Sequence, residues 1–244
     1  MRLTILGCYT PYPPPGGACL GYLVEGCSTR VVLEFGSGVM AQLQKYLPFW
    51  KLDGILLSHL HGDHISDIFV YRYAIDQAVA EGKRQEPVTV WAPAEPAEEF
   101  ARLGYKEVLS RQPLDPAREL RIGEFKLNFL PTRHPLPTLA CRLSDGRSTL
   151  VYTADTEIFP ELASFAEGAD LLLAEATFLT SDIEAGGTNH LSAAQAAELA
   201  RSAGVKRLLL THLRSWYNPD DILAEAVKFF PEVQVVRQDL RLEF

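Results

Sequence analysis

A short segment in the first third of the chain carries three histidines and an aspartate within six residues, namely His59, His61, Asp63 and His64. It follows an apolar run that is typical of a buried strand and precedes a helical pattern. In an extended segment, residues two apart face the same way, so His59 and His61 can hold one ion together. Asp63 and His64 begin the next helix about 100° apart around its axis and can reach a second, adjacent position. This spacing predicts a metal site rather than a solvated histidine-rich turn.

The other three histidines, His134, His190 and His212, stand where predicted strands end or loops begin. Asp155 also ends a predicted strand. A histidine that serves only the core would instead sit in the middle of an element. Nitrogen and oxygen ligands of this kind suit borderline-soft divalent ions. We therefore expect two divalent metal ions, with Zn²⁺ preferred and Mn²⁺ or Fe²⁺ as alternatives.

The elements that must position these residues are mostly strands in the first two thirds of the chain. Short apolar runs between turn residues predict the strands Leu3–Leu6, Gly21–Glu25, Arg30–Glu34, Asp53–Ser58 and Val88–Trp91. Apolar residues at helical spacing predict the helices Val39–Leu47, Ile65–Ala80 and Ala94–Leu103. Antiparallel strands are predicted over Leu120–Leu130 and Leu139–Thr153, with a hairpin turn at Asp145–Gly146.

The last third of the chain alternates strands with helices. The predicted strands are Leu171–Glu175, Lys206–Thr211, Val233–Val236 and Leu240–Phe244. One helix, Ser192–Ser202, starts with a capping box and stops before Gly204. A second helix starts at Asn218–Pro219 and is predicted to run to Phe230. No low-complexity linker interrupts the chain, so we predict one α/β domain over residues 1–244.

Composition excludes several classes of protein. The chain has 244 residues, of which 47% are hydrophobic, so it can bury a sizeable core and is neither disordered nor fibrous. Its net charge of -8 argues against a protein whose main task is to grip phosphate backbones. Its four cysteines form no CxxC pair, which favours reduced thiols. No apolar run is long enough to span a membrane, and the start resembles a strand rather than a signal peptide, so we predict a cytoplasmic protein.

The order of the motifs resembles the metallo-β-lactamase superfamily: HxHxDH, a lone histidine, a strand-end aspartate and a strand-end histidine. The similarity extends from the loop of Gly7 and Pro13 to the final histidine motif. It implies a four-layer αββα sandwich of two mixed sheets flanked by helices, with the site at one edge of the sheets. The resemblance also implies the ligands. The first metal would be held by His59, His61 and His134, the second by Asp63, His64 and His212, and both by Asp155.

The last third narrows this resemblance to ribonuclease Z and related phosphodiesterases. The similar segments include Ala174–Phe178 and Asn189–Ser192. In that group the histidine equivalent to His190 is a catalytic acid rather than a ligand. Glu175 is a candidate to orient it, since carboxylates orient imidazoles in many sites; the alternative is a carboxylate that bonds backbone at a strand end. Together with Asp63, these two are the candidate catalytic residues.

The chain departs from ribonuclease Z in features that concern the substrate. Ribonuclease Z carries a long tRNA-gripping arm between its third histidine motif and its bridging aspartate, whereas Asp155 follows His134 by only 21 residues here. No run rich in Lys or Arg offsets the net charge of -8. Both features argue against tRNA as a partner. In addition, Glu34 stands where the superfamily often has an aspartate before a glycine.

Two further segments are candidates to border the site. The loop Tyr9–Gly17 is rich in proline and tyrosine, and its rings could stack on a substrate ring; a plain turn-rich connection is the alternative. Arg214, Trp216 and Tyr217 closely follow the final histidine motif and could line the pocket. Arg214 would then hold a phosphate oxygen bidentately, or else be an ordinary surface arginine.

The sequence thus predicts a metal-dependent hydrolase in which two divalent ions activate water. Phosphodiester hydrolysis on a small or single-stranded substrate, such as a short nucleotide, is favoured. The alternatives are a carboxylic ester, lactone or thioester hydrolase using the same site, and a metal-binding sensor without catalysis. True β-lactamase activity is disfavoured, because a periplasmic enzyme should carry an export signal. The resemblance also favours a homodimer.

Overall fold

The computed structural model describes every residue from Met1 to Phe244. Its strands, in chain order, are β1 (Arg2–Gly7), β2 (Tyr9–Thr10), β3 (Gly21–Glu25), β4 (Arg30–Leu33), β5 (Gly54–Leu56), β6 (Val88–Ala92), β7 (Leu109–Pro113), β8 (Leu120–Ile122), β9 (Phe125–Pro131), β10 (Leu139–Ser144), β11 (Thr149–Tyr152), β12 (Leu171–Glu175), β13 (Leu208–Thr211), β14 (Leu213–Arg214), β15 (Val233–Val235) and β16 (Arg241–Glu243). Its α-helices are α1 (Val39–Leu43), α2 (Gly62–Ile65), α3 (Ile68–Ala80), α4 (Ala97–Arg102), α5 (Pro160–Ala166), α6 (Thr180–Glu184), α7 (Ala193–Ser202) and α8 (Pro219–Ala226). A short 3₁₀ turn spans Phe49–Lys51.

All strands except β2 and β14 belong to two seven-stranded mixed sheets. The first has the order β16-β1-β3-β4-β5-β6-β7 and is parallel from β4 to β7. The second has the order β15-β13-β12-β11-β10-β9-β8 and is parallel from β15 to β11. The remaining pairs are antiparallel, including the β10–β11 hairpin expected at Asp145–Gly146. The α/β sandwich of two mixed sheets flanked by helices is confirmed.

Central strands of the first sheet are apolar on both faces because each face packs against a different layer. In β4, Val31 and Leu33 belong to the core shared with the second sheet. Val32, between them, belongs to a separate core formed with α1 and α3. On the other side of the molecule, α5, α7 and α8 contribute buried residues to the core of the second sheet. The layers are therefore helix, sheet, sheet, helix.

Two helices start as their sequences predict. The Ser192 hydroxyl accepts a bond from the Gln195 amide at 3.2 Å, and the Gln195 side chain accepts one from the Ser192 amide at 3.0 Å. This capping box starts α7 and fixes the chain just after His190. Asn218 caps α8, with Pro219 in the first turn. None of the helices combines the length and apolarity needed to cross a membrane.

Four predicted helices differ from the observed ones. Those expected over Val39–Leu47 and Ala94–Leu103 span only Val39–Leu43 and Ala97–Arg102. The helix expected over Ile65–Ala80 is divided into α2 and α3, because the Asp67 amide bonds the Phe35 carbonyl and the Asp67 carboxylate bonds the Met40 amide. The helix expected to reach Phe230 ends at Ala226, where a turn packs the two following phenylalanines against the core.

Several elements were not predicted. The edge strand β7 is polar and largely exposed, so it lacks the apolar pattern of the other strands. The helices α5 and α6 have only seven and five residues, too few for a clear periodic pattern. The two-residue strands β2 and β14 pair with each other outside both sheets. Their pairing depends on the tertiary structure and could not be read from local sequence.

The parallel halves of the two sheets position the chemistry. In open α/β sheets, functional residues gather beyond the carboxyl ends of parallel strands. Glu34 follows β4, and the histidine motif follows β5. In the second sheet, Asp155 follows β11, Glu175 ends β12 and His212 follows β13. Because one apolar core joins both sheets, we propose that residues 1–244 fold as a single domain.

A tight contact at Gly36 generates a stability prediction. A Cβ atom on Gly36 would lie 1.9 Å from the Asp63 carbonyl oxygen and 2.8 Å from Cys19 Cβ. Gly36→Ala should therefore displace the backbone of the histidine motif and destabilise the fold by about 1–3 kcal/mol. We expect the midpoint of thermal unfolding to fall by several degrees in calorimetry. Gly62→Ala is the control, since its Cβ would meet nothing closer than Ser66 Oγ at 4.0 Å. Equal unfolding temperatures for the two variants would contradict the prediction.

Candidate metal centre

All six histidines of the chain lie at one edge of the two sheets. One cluster brings donor atoms of His59, His61, His134 and Asp155 within 4.8 Å of one another. His59 Nε2 lies 2.9 Å from His61 Nδ1, and His134 Nε2 lies 3.2 Å from the same nitrogen. Asp155 Oδ2 lies 3.6 Å from His59 Nε2 and 3.9 Å from His134 Nε2. These are the four residues expected around a first metal.

A second cluster joins Asp63, His64 and His212. His212 Nε2 lies 3.6 Å from Asp63 Oδ2, and His64 Nε2 lies 3.8 Å from the same oxygen. Asp155 faces this cluster too, because its Oδ2 lies 3.2 Å from His212 Nε2 and 3.5 Å from His64 Nε2. The structure therefore brings together all seven residues of the expected ligand set, with Asp155 between the two clusters.

Neighbouring polar groups contact the Nδ1 atoms of two of these imidazole rings, on the side away from the two clusters. Ser58 Oγ lies 3.0 Å from His59 Nδ1. His134 Nδ1 lies 3.2 Å from the Asn189 carbonyl oxygen. Such outer contacts fix which ring nitrogen points at the centre.

Glu34 supports the second cluster. Its carboxylate accepts bonds from the Ser58 amide at 3.2 Å and lies 3.4 Å from His64 Nδ1. The backbone of Glu34 has a positive φ of 59°. The side chain of Glu34, one methylene longer than that of an aspartate, thus reaches the loop of the histidine motif from a left-handed backbone position. The sequence showed glutamate in place of aspartate but did not show these contacts.

The electrostatics of the two clusters differ. In the first, burial is the main cause that lowers the pKa values of His59, His61 and His134. Burial deprives a charged imidazolium of water, so these rings are neutral and their lone pairs are available. In the second cluster, burial would also lower the pKa of His212, but Asp155 and Asp63 outweigh it and raise that pKa to about 10.

The same carboxylates act on His64. Burial opposes its charge, yet Asp155, Asp63 and Glu34 raise its pKa well above the usual value. Burial likewise opposes the charge of Asp155, but His212 and His64 hold its pKa well below the usual range. Protons on these two histidines therefore balance the buried carboxylates, and a cation bound there would replace them.

The donor set fits divalent ions. Both ring nitrogens of His64, Nε2 of His212 and Oδ1 of Asp155 are buried without a hydrogen-bond partner. Nδ1 of His64 faces Glu34, but the Nε2 atoms of His64 and His212 both face Asp155. Leaving a buried polar atom unpaired costs about 1–3 kcal/mol, so these convergent nitrogens need another explanation. Neutral imidazoles and carboxylates are the ligands that Zn²⁺ and similar ions prefer.

His190 is the histidine outside the expected ligand set, although one of its ring nitrogens lies within 4.8 Å of donor atoms of Asp155 and His212. Its Nδ1 lies 3.0 Å and 3.2 Å from the two oxygens of Glu175. Glu175 is fully buried and also accepts a bond from the Thr156 amide at 2.6 Å. His190 keeps 20% of its side chain exposed and borders the open cleft. Glu175 therefore contacts both the backbone and His190, and its role in orienting a catalytic acid stays a prediction.

Thr177 and Thr10 were missed by the sequence argument. Thr177 Oγ1 lies 2.6 Å from Glu175 Oε2 and 2.6 Å from His212 Nδ1, so it links the two. Thr10 donates to Asp63 Oδ2 at 2.7 Å. Threonine is common in strands and loops, and only the fold shows that these two hydroxyls contact His212 and Asp63.

The cleft above the centre has a volume of about 620 Å³. Its walls include the loop residues Thr10, Pro11, Tyr12 and Pro13, so the expectation that this loop borders the site is confirmed. Arg214, Trp216 and Tyr217 are not among the residues that line this cleft, so the expectation that they line it is wrong. Arg214 is also paired rather than free. It lies 3.6 Å from Asp182 and donates to the Tyr217 hydroxyl at 2.8 Å.

Two mixed sheets between helical layers, with clustered histidines and aspartates at one edge, define the architecture of a metallo-hydrolase. A family model described as a β-lactamase superfamily domain matches residues 29–213. The chain belongs to this superfamily.

The relatives refine the comparison. The chain is 34% identical over 230 residues to the probable metallo-hydrolase YhfI of Bacillus subtilis, with 94% of each chain covered. The crystal structure of YhfI superposes with a TM-score of 0.95 at 33% identity, covering 99% of this chain and 98% of that one. Ribonuclease Z of Thermobifida fusca is 27% identical over 299 aligned positions, covering 98% of this chain and 93% of the relative.

Human tRNase Z, short form, shares the fold with a TM-score of 0.77 at 19% identity, covering 100% of this chain and 99% of that one. The predicted family and its ribonuclease Z-like neighbours are therefore confirmed. In place of a long arm, the segment between His134 and Asp155 forms the hairpin of β10 and β11.

The Thr177 hydroxyl generates a prediction about metal affinity. Thr177→Val keeps the shape but leaves Glu175 and His212 without this partner. We expect zinc affinity, measured by competition with a chromophoric chelator, to fall about 10- to 100-fold. Thr177→Ser retains the hydroxyl and should bind zinc like the wild type. The idea fails if the valine variant, shown to be folded by circular dichroism, binds zinc as tightly as the serine variant.

Proposed function

We propose that this protein is a phosphodiesterase that acts on small or single-stranded substrates with two divalent ions, Zn²⁺ being preferred. The proposed ligands of the first ion are His59, His61 and His134, and those of the second are Asp63, His64 and His212, with Asp155 shared. When bound, such ions supply Lewis acidity that stabilises developing negative charge and provides a nucleophile from water at neutral pH.

The observation that carries this proposal is the contact between His190 and Glu175 beside the cluster. A histidine that is half-buried, open to the cleft and backed by a buried carboxylate can give a proton to a leaving group. The Glu175 contact at Nδ1 leaves Nε2 as the atom that faces outward. Loss of an alkoxide from phosphorus needs such a proton, because the alkoxide is a poor leaving group.

The remaining residues of the chain orient these groups. Ser58 and the Asn189 carbonyl fix the rings of His59 and His134. Thr177 links His212 to Glu175 through its hydroxyl group. The proposed acid His190 and the proposed ligand His212 are therefore both positioned by the buried carboxylate of Glu175. Asp63, held by Thr10, lines the cleft and can accept a hydrogen bond from an incoming water.

The first test is an aryl phosphodiester assay on protein loaded with zinc or manganese. We expect turnover of bis(p-nitrophenyl) phosphate that chelation abolishes and added metal restores. Asp155→Ala should lose metal, measured by mass spectrometry of the metal content, together with activity, because this carboxylate faces both clusters. No turnover above that of the Asp155→Ala variant would count against a phosphodiesterase. Faster turnover of a lactone or thioester panel would favour the alternative substrate class.

The second test concerns proton donation by His190. His190→Ala should keep its metals and lose about 10²–10⁴-fold in kcat on a poor leaving group, as expected for general acid catalysis. The loss should be much smaller for a p-nitrophenyl ester than for the matched phenyl ester, because nitrophenolate leaves without a proton. An equal loss on both esters would mean that His190 acts in some other way.

A further inference from the structure

Two aromatic side chains remain exposed at the mouth of the cleft. Tyr12 is 57% exposed and Trp216 is 54% exposed, although their ring centroids are only 5.9 Å apart with 34° between the planes. Tyr12 lines the cleft together with His190 and Asp155. Adjacent exposed rings beside a polar cleft form an apolar surface that the fold itself does not bury.

The position of this pair is fixed by the small sheet of β2 and β14. Thr10 pairs with Arg214 in that sheet, which belongs to neither of the large ones. Tyr12 follows the first strand by two residues, and Trp216 follows the second strand by two residues. The two-stranded sheet therefore anchors both rings to the backbone beside His212.

A chain of side-chain contacts, which passes through the buried ring of Phe178, connects the pair to the candidate acid. The Arg214 guanidinium lies 5.5 Å from the centre of the Trp216 ring and 4.5 Å from that of Phe178. The Phe178 ring in turn lies 5.6 Å from the ring of His190. Asp182 lies 3.6 Å from Arg214 and balances its charge. This arginine therefore packs against the aromatic rings and is not a free positive charge in the cleft.

The charge of the cleft restricts what it can bind. Its thirteen lining residues include Asp63 and Asp155 but no lysine or arginine. Once bound cations replaced the proton on His212, the cleft would offer a phosphate ester no further positive side chain. The rest of such a ligand must gain its affinity from uncharged contacts, and the exposed rings are the largest of these nearby.

We propose that Tyr12 and Trp216 form a stacking subsite for the nucleobase of a small nucleoside phosphate ester whose phosphate lies at the metal centre. Every base has a π face, so stacking on these rings tolerates any base. This inference rests on the proposed phosphodiesterase function and names the substrate class. The net charge of -8 favours a short nucleotide over a long polyanion, which the protein would repel more strongly.

The test compares two ligands that differ only in the base. Isothermal titration of the zinc-loaded protein should show adenosine 5′-monophosphate binding about tenfold or more tightly than ribose 5-phosphate. Trp216→Ala and Tyr12→Ala should each weaken the nucleotide by about 5- to 10-fold and leave ribose 5-phosphate unchanged, whereas Trp216→Phe keeps most of the preference. Tyr73→Ala removes a tyrosine of similar exposure, 55%, on α3, whose ring contacts Tyr105 and not the Tyr12–Trp216 pair, and should change neither ligand.

Three results would overturn the subsite. They are equal affinity of the two ligands for the wild type, equal weakening of both ligands by Trp216→Ala, and no binding of either ligand. These readings are separate from turnover. If the aryl phosphodiester is hydrolysed but the base adds no affinity, only the stacking subsite fails. If the base adds affinity but no phosphodiester is hydrolysed, the proposed function fails while the subsite stands.

Discussion

Asp155 imposes the constraint on which the rest of the structure depends. A fully buried carboxylate is costly unless positive charge surrounds it, and here only imidazoles lie close enough to supply that charge. Protonated His64 and His212 meet the need in the metal-free chain, and divalent ions would meet it better. The aspartate follows a central strand and faces both clusters, so it couples the positions of residues from both sheets.

The sandwich is arranged to bring those residues together. Each sheet is parallel in the half that carries the site and antiparallel in the other half. Parallel strands end at a common edge, so loops distant in sequence meet there. The antiparallel halves complete the apolar core, and His134 follows the antiparallel strand β9 at the same edge. Buried threonines and carboxylates then connect the loops by hydrogen bonds, as Thr177 connects Glu175 to His212.

Much of this could be predicted from local sequence. The spacing of the histidine motif, the strand-end positions of Asp155 and His212, and the Ser192 capping box depend on short-range geometry. Glu34, Thr10 and Thr177 illustrate what could not be predicted, because their roles depend on neighbours brought close only by the fold. The same reason explains β2 and β14, which are too short to show a pattern and pair across the whole chain.

Four residues at the site have a left-handed backbone, and this strain bears on the stability of the protein in a cell. Glu34, Ala154, Asn189 and His212 all have φ between 53° and 70°, which costs about 1 kcal/mol or more for each residue that is not glycine. This strain and the unpaired buried donors lower the stability of the empty protein, and a ligand that binds only the folded state restores it. The population exposed to proteases would then rise when metal is scarce. By this reasoning, the abundance of the protein would follow the metal supply of the cell.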